Sequence, residues 1–323
     1  MNGVGHKLFD FLYKYGTLLT ILLLIAAFGA STDNFLNGAN IVTILRSISI
    51  VTIIAIGLTV SLAVGGFDLS IGSTASLANA IVISMFVWHG QATGVGIGVA
   101  LVFCLAVGLV NAFLVINFKI QDMLMTLATM FVFQGVALTY TRGATISENM
   151  ILPNGDYATG QIPDGFVAIG KVPWIIIVML IVVLAVHLFL TYTKHGRYMY
   201  MIGGNPEAAK LSGIAVGKYR LVAYLVSALF AGIGGIVLGA RVMNAEVNAG
   251  APYLMDAVAA AFIGYSVLGA GKPNAFGTFA GAVLIGILSN GLIMLSVPYY
   301  AMDIVKGSVL AVALAITYYK RAH

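Results

Sequence analysis

Long apolar blocks alternate with short polar breaks along this chain. The blocks fall near Phe11–Ala30, Ile41–Val64, Ile71–Trp88, Val95–Ile116, Asp122–Tyr140, Pro173–Thr193, Tyr219–Ala240, Met255–Leu268, Asn274–Leu295 and Tyr299–Tyr319. A helix needs roughly 20 residues to cross a bilayer, so the pattern predicts an all-α polytopic membrane protein with about ten transmembrane helices. The third, fifth and eighth blocks are short or polar-tipped. They are the candidates for broken, tilted or re-entrant segments, which are tolerated where protein rather than lipid surrounds them. Lys7 precedes the first block and Lys14 lies in its first turn, as basic residues would in a signal peptide, but nine further spans follow it, so it reads as a retained helix.

The polar breaks carry the orientation. With the N-terminus inside and ten alternating spans, the inner segments hold Lys7, Lys14, Lys119, Lys194, Arg197, Lys210, Lys218, Arg220, Lys272, Lys320 and Arg321. The outer segments hold only Arg142, Lys171 and Arg241. Cytoplasmic loops are the basic ones, so both termini and the 194–218 loop are expected in the cytoplasm. Within that loop, Gly203–Arg220 reads GGNPEAAKLSGIAVGKYR. Asn205 is a helix cap and Pro206 fits the first helical position. Glu207 and Lys210 complement the two ends of the dipole, and Gly213 stops the helix after Ser212. A helix of about two turns outside the hydrocarbon follows from these residues. The longest outer segment, 141–172, is rich in turn formers, among them Pro153, Asn154, Gly155, Asp156, Pro163, Asp164 and Gly165, and predicts a small structured cap.

Composition narrows the function classes. The chain is 60% hydrophobic and 8% charged, far below the roughly 25% charged residues of a soluble domain; its solvent is a lipid bilayer. The net charge of +5 does not point to nucleic acid, because the basic residues punctuate apolar blocks and form no face. The one cysteine, Cys104, excludes an intramolecular disulfide. Gly271-Lys272 runs into Pro273, and position 266 is Ser, so the chain has no Walker A loop and is not expected to hydrolyse ATP. His89 and His195 fall in loops and His187 in a span, none with a second ligand at metal spacing. No metal, cofactor or catalytic residue is expected, and no pair suggests an intramembrane enzyme.

Acidic groups near membrane depth are costly and therefore informative. Asp68, followed by Ser70, either caps the helix that starts near Ile71 or acts as a hinge or gate. Asp256 has the same two readings at the start of the eighth span. Asp303 and Lys306 lie three apart on one helical face and are expected to pair.

Four motifs are similar to those of ATP-binding-cassette sugar permeases of the ribose, galactose and autoinducer-2 uptake family. They are GGNPEAAKLSGI from Gly203, Gly65-Gly66-Phe67-Asp68-Leu69-Ser70-Ile71-Gly72-Ser73, Met255-Asp256-Ala257-Val258-Ala259-Ala260, and Asp303-Ile304-Val305-Lys306-Gly307. The resemblance runs from about Asn40 to Lys320. It departs at Phe67, where Ile is usual, and at Phe262–Ser266, where a Gly-Gly pair is common. It implies the permease subunit of an importer for a monosaccharide or small polyol in the bacterial cytoplasmic membrane. A second permease subunit, a cytoplasmic ATPase and a soluble binding protein are its implied partners. It makes Asn205, Pro206, Glu207, Lys210 and Ser212 the ATPase-coupling residues, and the 141–172 cap a docking face. Asp68, Ser70, Asp256, Asn244, Asn248, Tyr299 and Tyr300 are the pathway or gate candidates, although interfacial tyrosines also serve as membrane anchors. The rival class is a self-contained, ion-coupled secondary transporter, which needs coupling residues at the midplane.

Overall fold

The computed structural model describes residues 3–152, 155–267, 271–298, 300–309 and 311, with side chains from residue 15 on, 266 excepted. Regular structure among them is helical: α1 (Gly3–Ser31), α2 (Gly38–Ala63), α3 (Ile71–Val87), α4 (Thr93–Phe118), α5 (Asp122–Thr141), α6 (Asp164–Ile169), α7 (Trp174–Tyr192), α8 (Lys194–Gly204), α9 (Pro206–Leu211), α10 (Val216–Val242), α11 (Ala251–Ser266) and α12 (Ala275–Met294). Residues 300–309 are helical as well. Nine of the ten predicted spans coincide with α1, α2, α3, α4, α5, α7, α10, α11 and α12; the first half of the tenth is the helix at 300–309, and its second half, apart from residue 311, lies outside the described residues.

Helices α2, α4, α5, α7, α10 and α12 are long and apolar enough to cross a membrane. α3 has 17 residues and rises about 26 Å at 1.5 Å per residue, short of a hydrocarbon layer about 30 Å thick. Its whole circumference is covered by protein, with only Met85 not fully buried. α11 is likewise short, at 16 residues. α5 differs from the expectation: it is an unbroken 20-residue helix, because its polar tip, Asp122, is bonded to side chains of α10.

α2 and α3 form the centre, and α10 crosses α2, α3 and α4. The exposed apolar side chains of α4, α5 and α7, such as Phe103, Phe113, Phe131, Ile181 and Leu184, are the faces left for lipid. Close approach of the inner helices depends on small residues. A Cβ added at Gly235 of α10 would strike the Ala75 carbonyl of α3, and one at Gly281 of α12 the Ala260 carbonyl of α11. Both small-residue pairs, Gly235/Gly239 and Gly277/Gly281, therefore pack helices within this chain. The 141–172 loop folds into a cap: α6 buries Phe166 edge-on against Phe86 at 4.8 Å, and Ile146 bridges Ala245.

Candidate functional site

The segment between α7 and α10 is built from two capped helices. Thr193 Oγ1 accepts the Gly196 N–H at 3.0 Å and starts α8, which the sequence pattern reads as loop. α8 buries Gly196, Met199 and Ile202 along one face, and carries His195, whose Nδ1 lies 2.9 Å from the Tyr219 hydroxyl. α9 matches the sequence expectation. Asn205 Oδ1 accepts the N–H groups of Glu207 and Ala208, both at 3.0 Å, Pro206 opens the helix, and Glu207 and Lys210 occupy its first and last turns. At the other end the Ser212 hydroxyl donates to the Ala208 carbonyl at 2.9 Å, and Gly213 takes φ +80°, the left-handed region that stops a helix. Ala209 alone faces the protein; Leu211 is 89% exposed. An open recess of about 510 Å³, lined by Tyr198, Met201, Ser212, Ile214, Lys218 and Tyr219, lies beside α9.

The turn joining α2 to α3, Val64–Ser70, lies directly on this segment. A Cβ at Gly203 would sit 2.5 Å from the Ala63 carbonyl oxygen and 3.1 Å from the Gly65 nitrogen. Asp68 is fully buried in the turn. Its Oδ1 accepts from the Ser70 N–H and hydroxyl at 2.9 and 2.6 Å, and its Oδ2 from the Ser227 hydroxyl of α10 at 2.8 Å. Asp68 therefore does not cap α3, whose N-cap, Ser70, receives no side-chain cap bond; it closes the turn onto Ser70 and ties it to α10. Asn111 of α4 donates to the Ser70 hydroxyl at 2.7 Å. Beside it, Asp122 of α5 accepts from Arg220 at 2.9 Å on each oxygen and from the Tyr224 hydroxyl at 2.6 Å.

Phe67, at the tip of the turn, packs 5.8 Å from Phe262, which stacks 5.6 Å from Tyr265. The two positions that depart from the family pattern therefore meet in space. They line a cavity of about 430 Å³ together with Tyr200, Gly203 and Lys272. Burial pushes the Tyr200 hydroxyl up to about 12, so it stays a donor, bonded to the Pro273 carbonyl at 2.7 Å; the Lys272 ammonium stands 4.4 Å over its ring.

The second polar centre is at the far edge of the bundle. Lys306 does not pair with Asp303. Its ammonium donates to both oxygens of Asp256 on α11, at 3.2 and 3.1 Å. A facing helix offers a carboxylate in line with the extended lysine, a better geometry than a neighbour one turn away, and Asp303 is left exposed. Asp256 is therefore a tertiary partner rather than a cap. It separates two open cavities, one of about 380 Å³ shared with Asn244 and Tyr253, the other of about 360 Å³ shared with Asp303 and Lys306. Asn244 Oδ1 is buried with no hydrogen-bond partner among the described residues. Asn248 is apart, accepting from Gln134 at 3.0 Å. Tyr300 is largely exposed, and Tyr299 lies outside the described residues. Of the pathway candidates, the structure brings together Asn244 and Asp256 at one place and Asp68 and Ser70 at another.

The family described as "Branched-chain amino acid transport system / permease component" matches residues 40–314. The chain belongs to this family. The ribose import permease protein RbsC of Escherichia coli K12 is 34% identical over 97% of this chain and 96% of its own. The xylose transport system permease protein XylH of Haemophilus influenzae is 31% identical over 94% and 96%. The galactose/methyl galactoside import permease protein MglC of E. coli K12 is 29% identical over 100% and 99%. No solved structure matches. The matched range contains each site residue of this permease described above. The sequence reading did not single out Asp122, Tyr224, Ser227 or Asn111. The signal available for two of them was the spacing of Arg220, Tyr224 and Ser227, a polar stripe along one face of an otherwise apolar helix.

Proposed function

We propose that this permease is the membrane subunit of an ATP-binding-cassette importer, and that its substrate is a monosaccharide or a related small polyol. The observation that carries the reading is α9. It is a six-residue helix capped at both ends, exposed on every side but that of Ala209, and held on α8 and α10. Isolated helices shorter than about 12 residues are marginal in water, so this one is built to be gripped by a partner. Glu207, Lys210 and the exposed Leu211 supply the contacts to a cytoplasmic ATPase, which carries the ATP hydrolysis. Relatives that import or transport ribose, xylose and galactose support the sugar class. A soluble binding protein delivers the sugar to the 141–172 cap, and two permease subunits, identical or paralogous, enclose one pathway in the bacterial cytoplasmic membrane. Both termini and α9 then face the cytoplasm, in keeping with the basic bias of the loops.

An ion-coupled carrier needs a carboxylate available to take up and release a cation. Asp303 is exposed, and the carboxylates inside the bundle are taken: Asp68 by Ser70 and Ser227 and Asp256 by Lys306, which favours the importer. The test is uptake of D-ribose, D-xylose and D-galactose into proteoliposomes holding the complex of permease, ATPase and binding protein. ATP-dependent uptake of at least one sugar is expected. Uptake by this chain alone, driven by a proton gradient, would replace this reading with the ion-coupled one. Cysteines at Lys210 and Asp156 should label from opposite sides of the membrane, Lys210 from the cytoplasm.

A further inference from the structure

Three polar residues of α10 deserve a role that neither the capped helix nor the cavities explain. Arg220, Tyr224 and Ser227 are spaced i, i+4 and i+7, so they form one face of the helix. Each ends on a carboxylate: Arg220 and Tyr224 on Asp122, Ser227 on Asp68. Both carboxylates hold the α2–α3 turn. Asp68 is part of it. Asp122 Oδ2 lies where a Cβ at Gly66 would come within 2.9 Å of it. One turn further along α5, Thr126 Oγ1 accepts the Leu69 N–H at 3.1 Å and lies within donating distance, 2.9 Å, of the Phe67 carbonyl. The turn is thus gripped at Gly66, Phe67, Asp68 and Leu69. The helix that carries the stripe begins at Val216, just beyond the Ser212 cap of α9.

We propose that Arg220, Tyr224 and Ser227 are positioning residues that link the α9 segment to the α2–α3 turn, so that displacement of α9 moves Phe67 and reshapes the cavity it lines. This rests on the coupling role given to α9 above. The chemistry suits the task. Bonds to an ionised carboxylate are short and directional, so they resist sliding along the helix axis, whereas apolar contacts let one helix slip past another. Phe67, with Phe262 and Tyr265, offers ring faces to the C–H face of a passing sugar, and a shift of the turn alters the room between them.

The test separates linkage from mere support by measuring sugar moved per ATP hydrolysed, in proteoliposomes containing the whole complex and whichever of D-ribose, D-xylose and D-galactose the parent transports. Tyr224→Phe removes one hydroxyl and keeps the ring; Arg220→Gln removes the charge. Both are expected to assemble with the ATPase while the ratio falls at least about fivefold, the low end of ordinary coupling between sites. Arg220→Lys should recover most of the ratio, and Val226→Ala, off the polar face, should keep it. If Tyr224→Phe and Arg220→Gln keep the parent ratio, or lose hydrolysis and uptake in proportion, the stripe is structural support only and the proposal fails. Should Arg220→Gln not accumulate, Tyr224→Phe decides the matter by the same criterion. A parent complex that moves no sugar with ATP would instead overturn the importer reading itself, and this proposal with it.

Discussion

Two carboxylate–cation pairs join distant parts of this permease, and their surroundings differ. Asp122 is held by three hydrogen bonds from α10 and sits against the backbone of the α2–α3 turn. Asp256 is held by Lys306 alone among the described residues, between two open cavities, one of which Asp303 also lines. The same chemistry serves two ends. The Asp122 side chain is 12% exposed against 22% for Asp256; with two side chains of α10 bonded to it, it fixes a junction, because less water reaches it when one partner is lost. Asp256, bonded to one side chain and bordered by two cavities that can admit water, is the easier of the two to release.

The largest effect should come from Arg220→Met. Stranding one member of an enclosed ion pair costs ~3–5 kcal/mol, and the 26% exposure of the Arg220 side chain puts the expected loss at the lower end. Unfolding in detergent can be followed through the reactivity of Cys104, which is buried and unpaired; the transition should move to markedly lower temperature. Adding Asp122→Asn should restore much of it, because the stranded charge is then gone.

Lys306→Met should cost less, about 1–2 kcal/mol, because the cavity water re-solvates Asp256. The same thiol assay gives the comparison directly. Equal losses at Arg220 and Lys306 would erase the distinction between enclosed and open pairs. The smallest effect belongs to Asp303→Asn, within about 0.5 kcal/mol of the parent, and on the stabilising side because a like charge beside Asp256 is removed. A loss as large as that of Lys306→Met would restore Asp303 as the partner of Lys306.

The spans were legible because a bilayer demands about 20 apolar residues whatever their neighbours. α9 was legible because its caps are local: Asn205, Pro206 and Gly213 act on the backbone within three residues of themselves. α8 was not. KHGRYMYMIGG is too polar for a span, and its one local signal is the Thr193 cap; the burial of Gly196, Met199 and Ile202 on neighbouring helices supplies the rest. The pairing of Lys306 was misread for a related reason. Asp303 is the carboxylate nearest in sequence, while the one that wins, Asp256, is supplied from 50 positions away by helix packing. The Asp122–Arg220 pair spans 98 positions, and no local rule finds it.

The backbone contact between Gly203 and the Ala63–Gly65 strand of chain has a mechanical consequence. Most junctions between helices meet through side chains, whose rotamers can absorb part of any push. Here peptide meets peptide, and nothing compliant lies between. If α8 receives the stroke proposed for α9, this contact would hand it to the α2–α3 turn with little lost, like a gear train cut without backlash. Mutations that introduce play at this point would be recognised by slippage: nucleotide consumed on strokes that carry no sugar.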